Sequence, residues 1–306
     1  MKKHKILMFH YVKSTKESPK YPNLNFFPLD QFCNFLDEYL ERLKLVSPDQ
    51  FIHAIEKKIR IPENALLLSF DDGLGDHYKW VFPELMSRGL SAFFFINTLP
   101  ILERQMLTVH KIHALSGLLG YDELRPRFLK LTDKNINNGY SKIDESKTLN
   151  AYPYDSLQTA KFKYWLNHQM SQDTINPILD ILLIEFFGTT FLKEFYLEKE
   201  DIKIMDKSGM TFGYHGHSHT PFSMLNKNEL ENEIAIEKQF FSNIGVSAKS
   251  ISHPFGDAAS VNNENLEVIH KNHIKVGFMA EDFEYNSDLQ MGRIDCTETL
   301  DNNFHL

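Results

Sequence analysis

The 306-residue chain holds only 2 cysteines, Cys33 and Cys296, one near each end and neither spaced with a second Cys or His as metal ligands are. That pattern does not describe a secreted disulfide framework and leaves at most one bridge. No run of about eighteen apolar residues exists, the length a membrane span needs. The nearest approach, Ile178 to Phe187, contains Asp180 and Glu185. Basic charge is also short: 33 Lys and Arg stand against 41 Asp and Glu, a net charge of -8, which gives no electrostatic footprint for nucleic acid. The opening Met1-Lys2-Lys3-His4-Lys5 leads into an apolar run that His10 and Lys13 soon break. Such a start is too short for a signal peptide, so a cytoplasmic location is expected. Repeats and low-complexity runs are missing. Core material is plentiful, with 42% hydrophobic residues and 25 phenylalanines, enough for one sizeable globular core.

The most informative stretch is Ser69-Phe70-Asp71-Asp72-Gly73. The apolar run Ala65 to Leu68 before it, bounded by Pro62 and Gly73, reads as a strand covered on both faces, as in parallel sheets. Asp71 and Asp72 then sit at a strand end, where α/β proteins keep their chemistry. Neighbours on an extended chain point to opposite sides, so the two carboxylates have separate tasks, one suited to a metal and the other to a proton. Taken alone, Asp-Asp-Gly reads more readily as a polar turn, and the motif by itself is weak evidence.

A second cluster, Tyr214-His215-Gly216-His217-Ser218-His219, puts three of the 14 histidines within five residues. His215 and His219 are four apart and share a face in a helical turn or a strand, so both can converge on one ion. His217 joins them only if the segment is extended. Two imidazoles with one carboxylate leave an open coordination position, the arrangement of a catalytic divalent site, and the first motif can supply that carboxylate. A solvated loop, or a core histidine bonded to backbone, is the plainer alternative.

These residues resemble the polysaccharide deacetylases with a NodB homology domain, carbohydrate esterase family 4. The first family motif appears as Ser69 to Gly73, and Tyr78 to Asn97 is similar to the helix and strand that follow it. The second matches at His215 and His219, with Gly216 in place of the usual hydroxyl residue. The third is partial: Ser252-His253-Pro254-Phe255-Gly256 keeps Pro-aromatic-Gly, while Ser252 stands where the family has an arginine. Ile6 to Val12 looks like the first strand of a common subgroup. The resemblance covers most of 1–97 and 196–295, and it implies a distorted or incomplete (β/α) barrel of the NodB type, an α/β fold. It makes Asp72, His215 and His219 the ligands of one divalent metal and Asp71 the general base. The Phe255 peptide, between Pro254 and Gly256, becomes the oxyanion donor. Zinc suits the N/O ligand set best, with cobalt, nickel or manganese as further candidates.

Two accessories have no obvious residue, the arginine that orients the base and the late histidine that acts as general acid. Arg293, near the end of the last strand-like segment, is the candidate for the first, although it reads as easily as a structural ion-pair partner. His10, at the end of the first strand, is the candidate for the second, and His253 is a lesser one. The implied function is removal of an N-acetyl group from an amino sugar, in a precursor or lipid-linked sugar for surface polysaccharide biosynthesis. An O-deacetylase, a deformylase, or a sugar- or metal-binding module without catalysis are the alternatives.

The chain reads as a single α/β domain spanning 1–306. Helices are expected over Pro28 to Leu45, Pro48 to Lys58, Trp80 to Arg88, Asn228 to Phe241 and Asn262 to Asn272. Strands are expected before His10, before Asp71, at Ala92 to Ile96, in the third motif and at Lys275 to Ala280, with seven or eight strands in all. Alternation fails over about 98–196, which reads as a mostly helical insertion. It has pieces at Met106 to Leu119 and Pro177 to Phe187, the second opening on its proline, and a polar loop at Thr132 to Tyr140. Such an insertion selects substrate or serves oligomerisation.

Overall fold

The computed structural model describes residues 5–16, 22–133, 139–152, 155–188, 195–282 and 287–297. The chain divides into two compact units, one of 1–17, 26–105 and 193–306, the other of 18–25 and 106–192.

The first unit is built on a parallel sheet, eight-stranded among the described residues. Strands β1 (Lys5–Phe9), β5 (Ala65–Phe70), β6 (Phe93–Ile96), β7 (Thr211–Tyr214), β8 (Ser250–Ser252) and β9 (Val276–Phe278) follow one another, and β10 (Ile294–Asp295) lies on the far side of β1. Two short strands, β2 (Val12–Lys13) and β3 (Phe27–Pro28), pair with each other apart from this sheet, and the short β4 (Lys44–Leu45) pairs with the start of β5. A single parallel bridge between Phe278 and Met291 brings the chain leading to β10 against β9. The sheet is thereby curled into a distorted barrel. Gly277 is what permits this approach, since a Cβ there would collide with the Leu289 carbonyl.

Strand periodicity sorts the core into two layers. Leu66, Leu68, Phe70, Phe94, Ile96 and Phe212 pack outward with apolar residues of the surrounding helices, such as Phe32, Leu85, Ile202, Leu230 and Ile269. Ile6, Leu67, Phe93, Phe95, Val276 and Phe278 form a separate cluster with Phe51 and Ile52 of the helix Pro48–Lys57. Phe93 and Phe278 have ring centroids 5.4 Å apart although β7 and β8 lie between their strands, so this second cluster fills the barrel interior. Gly213 leaves room there: a Cβ would come within 2.5 Å of the Phe95 ring. Counting by two along β5 puts Ala65, Leu67, Ser69 and Asp71 on the inward face.

Three expectations change. The helix expected to reach Leu45 spans Leu29–Leu40, because the Lys44 and Val46 N–H groups donate to Asn64 and Leu66 and turn this apolar stretch into a strand. Trp80 lies in a π-helical turn, His77–Val81, ahead of the helix Phe82–Ser87. The helix expected to open at Pro177 is Gln172–Phe187, with that proline inside it. It still caps no first turn, and it leaves the fourth preceding carbonyl without its helical N–H. Cys33 and Cys296 are not bonded to each other.

The second unit is helical, with Thr108–Leu119, Tyr121–Leu131, Glu145–Ala151, Leu157–His168 and Gln172–Phe187. Its own core includes Leu115, Leu124, Phe128, Phe162, Trp165, Leu179 and Leu183. The buried Lys111 ammonium pairs with Asp180 at 2.7 Å. Of the polar loop read at 132–140, residues 134–138 lie outside the described residues. Among the described residues no helix is long and apolar enough to cross a membrane.

Candidate active site

Asp71, Asp72, His215, His219, Phe255 and Arg293 converge at the C-terminal ends of the strands. Asp71 continues the inward face of β5 and is 1% exposed. Its backbone N–H donates to the Phe9 carbonyl, which extends the ladder with β1 by one residue. Asp72 leaves the strand at φ 77°, and Gly73 follows at φ 61°. This left-handed step breaks the strand alternation, and both carboxylates approach His215 Nε2, Asp72 Oδ1 at 3.2 Å and Asp71 Oδ2 at 3.9 Å.

Arg293, 1% exposed, reaches Asp71 from the chain just before β10. All five of its N–H donors are placed. Nε donates to the Met279 carbonyl at 2.9 Å, Nη1 to Ser69 Oγ at 3.1 Å and Asp71 Oδ1 at 2.8 Å, and Nη2 to Asp71 Oδ2 at 2.6 Å and Ser252 Oγ at 2.8 Å. The guanidinium carbon lies 5.8 Å from each of the Phe95 and Phe278 ring centroids, so the cation rests on the aromatic interior. Ser252 Oγ donates in turn to Asp71 Oδ2 at 2.9 Å. The serine at the place of the family arginine therefore receives an arginine from another strand and touches the same carboxylate. Burial pushes the Asp71 carboxyl upward, but Arg293 and then His215 outweigh it and hold its pKa at about 2. Asp71 is ionised throughout the neutral range.

His215 donates from Nδ1 to the Ser252 carbonyl at 2.8 Å. A carbonyl can only accept, so the lone pair is on Nε2, which lies 3.2 Å from Asp72 Oδ1. His219 Nε2 lies 3.4 Å from the same oxygen, and the two imidazole centroids are 4.9 Å apart. These three ligand atoms lie within 4.8 Å of one another and all three residues are buried. A buried lone pair facing a carboxylate oxygen needs a positive charge between them, and the donor set of two imidazoles and a carboxylate fits a divalent cation. Without one, burial lowers the His215 pKa, yet Asp71 and Asp72 more than compensate and it lies above the ordinary histidine value.

The segment 215–219 is neither helix nor strand. Gly216 at φ 73° and His219 at φ 56° bend it so that both imidazoles meet, and the backbone is held from outside. Asn97 Nδ2 donates to the carbonyls of His215 at 2.6 Å and Gly216 at 2.7 Å, and the Leu99 N–H donates to that of His217. His217 turns away from the other two, its Nδ1 hydrogen-bonded to Thr98 Oγ1 at 2.8 Å and its Nε2 3.3 Å from Glu103. It is not one of the converging ligands.

Phe255 has φ 64°, and its ring lies 5.1 Å from that of His219. Gly256 follows at φ 60°, where a Cβ would collide with the Ala280 backbone. Pro254 packs over Gly216, whose Cβ would stand 3.0 Å from the proline Cγ. That contact, with the left-handed φ, explains glycine where the family carries a hydroxyl residue.

His10 is half-buried at the end of β1, near enough for its charge to act on Asp71 but without a hydrogen bond to it. Its carbonyl accepts from His77 Nε2 at 2.9 Å. His253 does not serve as the acid. It is buried, donates from Nε2 to the Leu289 carbonyl at 2.7 Å, and burial lowers its pKa to about 4. Sequence reasoning gave no role to Asn97, which closes the stretch resembling the family's helix and strand, and missed Thr98, Glu233 and Glu237, which belong to no motif.

No family model matches the chain, and no curated protein does. Solved structures do match in fold. The deacetylase PplD of Streptococcus pyogenes, solved in complex with acetate, is 16% identical over 95% of this chain and 91% of its own, with a TM-score of 0.57. IcaB from Ammonifex degensii is 14% identical over 95% and 90%, with a TM-score of 0.56. A de-N-acetylase from Aggregatibacter actinomycetemcomitans is 15% identical over 97% and 96%, with a TM-score of 0.52. The chain has the polysaccharide deacetylase fold. Within that fold, the two motif segments are the ones that meet at the strand ends.

Proposed function

We propose that this protein is a metal-dependent deacetylase that hydrolyses the N-acetyl group of an amino sugar, in a precursor or chain of a surface polysaccharide. The observation that carries this reading is the pairing of two different carboxylates at one strand end. Asp72 faces His215 and His219, while Asp71, 3.9 Å from His215 Nε2, is locked by Arg293. Metal binding alone needs Asp72 and the histidines, whereas a buried, ionised, oriented Asp71 beside them is what proton transfer needs. Two proteins that share the fold, a deacetylase solved with acetate and a de-N-acetylase, support the same chemistry.

Asp72, His215 and His219 would hold the cation, with zinc the best fit and cobalt, nickel or manganese as alternatives. When bound, it supplies Lewis acidity to a water and to an amide carbonyl. Asp71 accepts the proton of the attacking water. The bidentate bond to Arg293 leaves it weakly basic but fixes its direction and keeps it ionised. The Phe255 peptide, between Pro254 and Gly256, is the donor for the oxyanion that forms. His10, at the neighbouring strand end, is the candidate proton donor to the leaving amine.

The test is acetate release by metal-loaded protein from a panel of N-acetylated sugars, free and carrier-linked, with O-acetylated and N-formylated counterparts. N-acetyl sugars are expected to react, and Asp71→Asn to lower the rate by about 10²-fold or more while retaining metal. Release only from O-acetyl or N-formyl substrates moves the function to those carbonyls. Sugar and metal binding with no release from any substrate sinks the enzymatic reading in favour of a binding module. His215→Ala and His219→Ala are each expected to lose bound metal.

A further inference from the structure

The helix Lys227–Ile244 buries Leu230, Ile234, Glu237, Phe240 and Phe241. Glu237 is the exception in that apolar stripe, a carboxyl with 0% exposure. Packing alone would place a leucine or methionine there. Its Oε1 accepts the His215 backbone N–H at 2.9 Å, and the Gly216 N–H also bonds to this carboxyl. One turn earlier on the same helix face, Glu233 Oε2 accepts the Ser218 N–H at 2.9 Å. Since β7 ends at Tyr214, these glutamates supply to the histidine segment the acceptors a strand neighbour would otherwise give.

We propose that Glu237, assisted by Glu233, is a positioning residue for the metal site. Its carboxyl fixes the peptide of the first histidine ligand, and with it the direction of the His215 imidazole. Together with the Ser252 carbonyl on Nδ1, it sets that ligand from both the backbone and the ring. A buried carboxyl whose Oε2 has no hydrogen-bond partner is a cost to folding, which Oε1 offsets only at the metal loop.

This rests on the reading of Asp72, His215 and His219 as metal ligands, and the experiment separates the two. Metal-depleted full-length protein is titrated with zinc against a chromophoric chelator, for wild type, Glu237→Met, Glu237→Gln and Glu233→Ala, with melting temperatures of the metal-free forms. Glu237→Met keeps the buried volume but removes the acceptor, and is expected to bind zinc about 10-fold or more weakly. Glu237→Gln keeps an acceptor oxygen and should restore affinity to within about threefold of wild type. Glu233→Ala, partly exposed and able to fold even if Glu237→Met does not, should weaken zinc by a few-fold with little change in metal-free melting. Wild-type zinc affinity in Glu237→Met, or equal losses in Glu237→Met and Glu237→Gln, would overturn the assignment. So would an unchanged Glu233→Ala where Glu237→Met does not fold. A wild type that binds no zinc would overturn the metal site itself, and this inference with it.

Discussion

The Asp71 side of the site and the His215 to His219 side face the same problem, charge and polarity buried at a strand end, and meet it by different means. Asp71 is held by side chains lying on strands, Ser252 on β8 and Arg293 at the entry to β10, with Ser69 on β5 accepting from that arginine, all on the inward face. The histidine segment leaves the sheet, takes left-handed turns at Gly216 and His219, and is held by side chains gripping its backbone. The first side is stiff because it inherits the register of a parallel sheet. The second is stiff only as far as Asn97, Glu233 and Glu237 make it so. Substitutions should therefore damage the first through charge and the second through backbone geometry.

The largest effect is expected at Arg293. Arg293→Met leaves the Asp71 charge buried without its partner, a loss of about 3–5 kcal/mol in chemical denaturation. Asp71→Asn in the same chain removes the orphaned charge, so the double variant should recover part of that loss. A double variant no more stable than Arg293→Met would show that Arg293 acts by packing on Phe95 and Phe278 and not by charge. The pair also has a pH signature. The Asp71 pKa is depressed in the folded state to about 2, so its contribution is present above the unfolded carboxylate value, about pH 4, and fades as the pH falls towards 2.

Buried histidines around the site give a second, smaller effect of the same kind. His77 and His253 are neutral and fully buried, and burial lowers each to about 4 against an ordinary value of 6.5. A lowered histidine binds its proton more readily when unfolded, so stability is full above about pH 6.5 and declines as pH falls towards 4, by up to about 3 kcal/mol for each group. Melting followed from pH 7 to pH 5 should show this decline, and His253→Asn should reduce it. A wild-type profile flat across that range contradicts the neutral assignment. The contrast with His215, raised by its two aspartates, separates histidines that pack from a histidine that faces the carboxylates.

How much of this was legible follows from the same contrast. The β5 strand and its two aspartates could be read because burial on both faces leaves an unbroken apolar run, but simple alternation does not describe the second carboxylate, since Asp72 leaves the strand in a left-handed step that brings it to the same imidazole as Asp71. The His215 and His219 pairing was legible as spacing. Its conformation was not, since no periodicity announces a loop that turns at Gly216 and at a histidine. Arg293 could be named but not placed, because 222 residues separate it from Asp71 and only the closure of the sheet brings them together. Glu237 did carry a signal: Leu230, Ile234, Glu237 and Phe241 share one helical stripe, and a glutamate among them asks for a buried partner. Lys44 and Leu45 misled because Leu43, Leu45 and Val46 look like further apolar residues of the preceding helix until β5 is there to pair with them.

The smallest effect falls on the backbone side, at Gly216. Gly216→Ala puts a Cβ 3.0 Å from Pro254 Cγ and 3.2 Å from the Phe222 ring, at a residue with φ 73°. The left-handed conformation alone costs a non-glycine residue about 1–2 kcal/mol. The peptide has one relief, which is to rotate towards negative φ, and that would carry the neighbouring His215 carbonyl away from Asn97. Gly216→Ala should therefore lower the melting temperature by only a few degrees while weakening zinc binding by more than that loss alone would account for. Gly245, at φ 74° with nothing near its Cβ, is the control, because Gly245→Ala carries the same conformational cost without touching the site. If both variants lose stability equally and bind zinc alike, the histidine segment is as rigid as the strand end, and the difference between the two sides disappears.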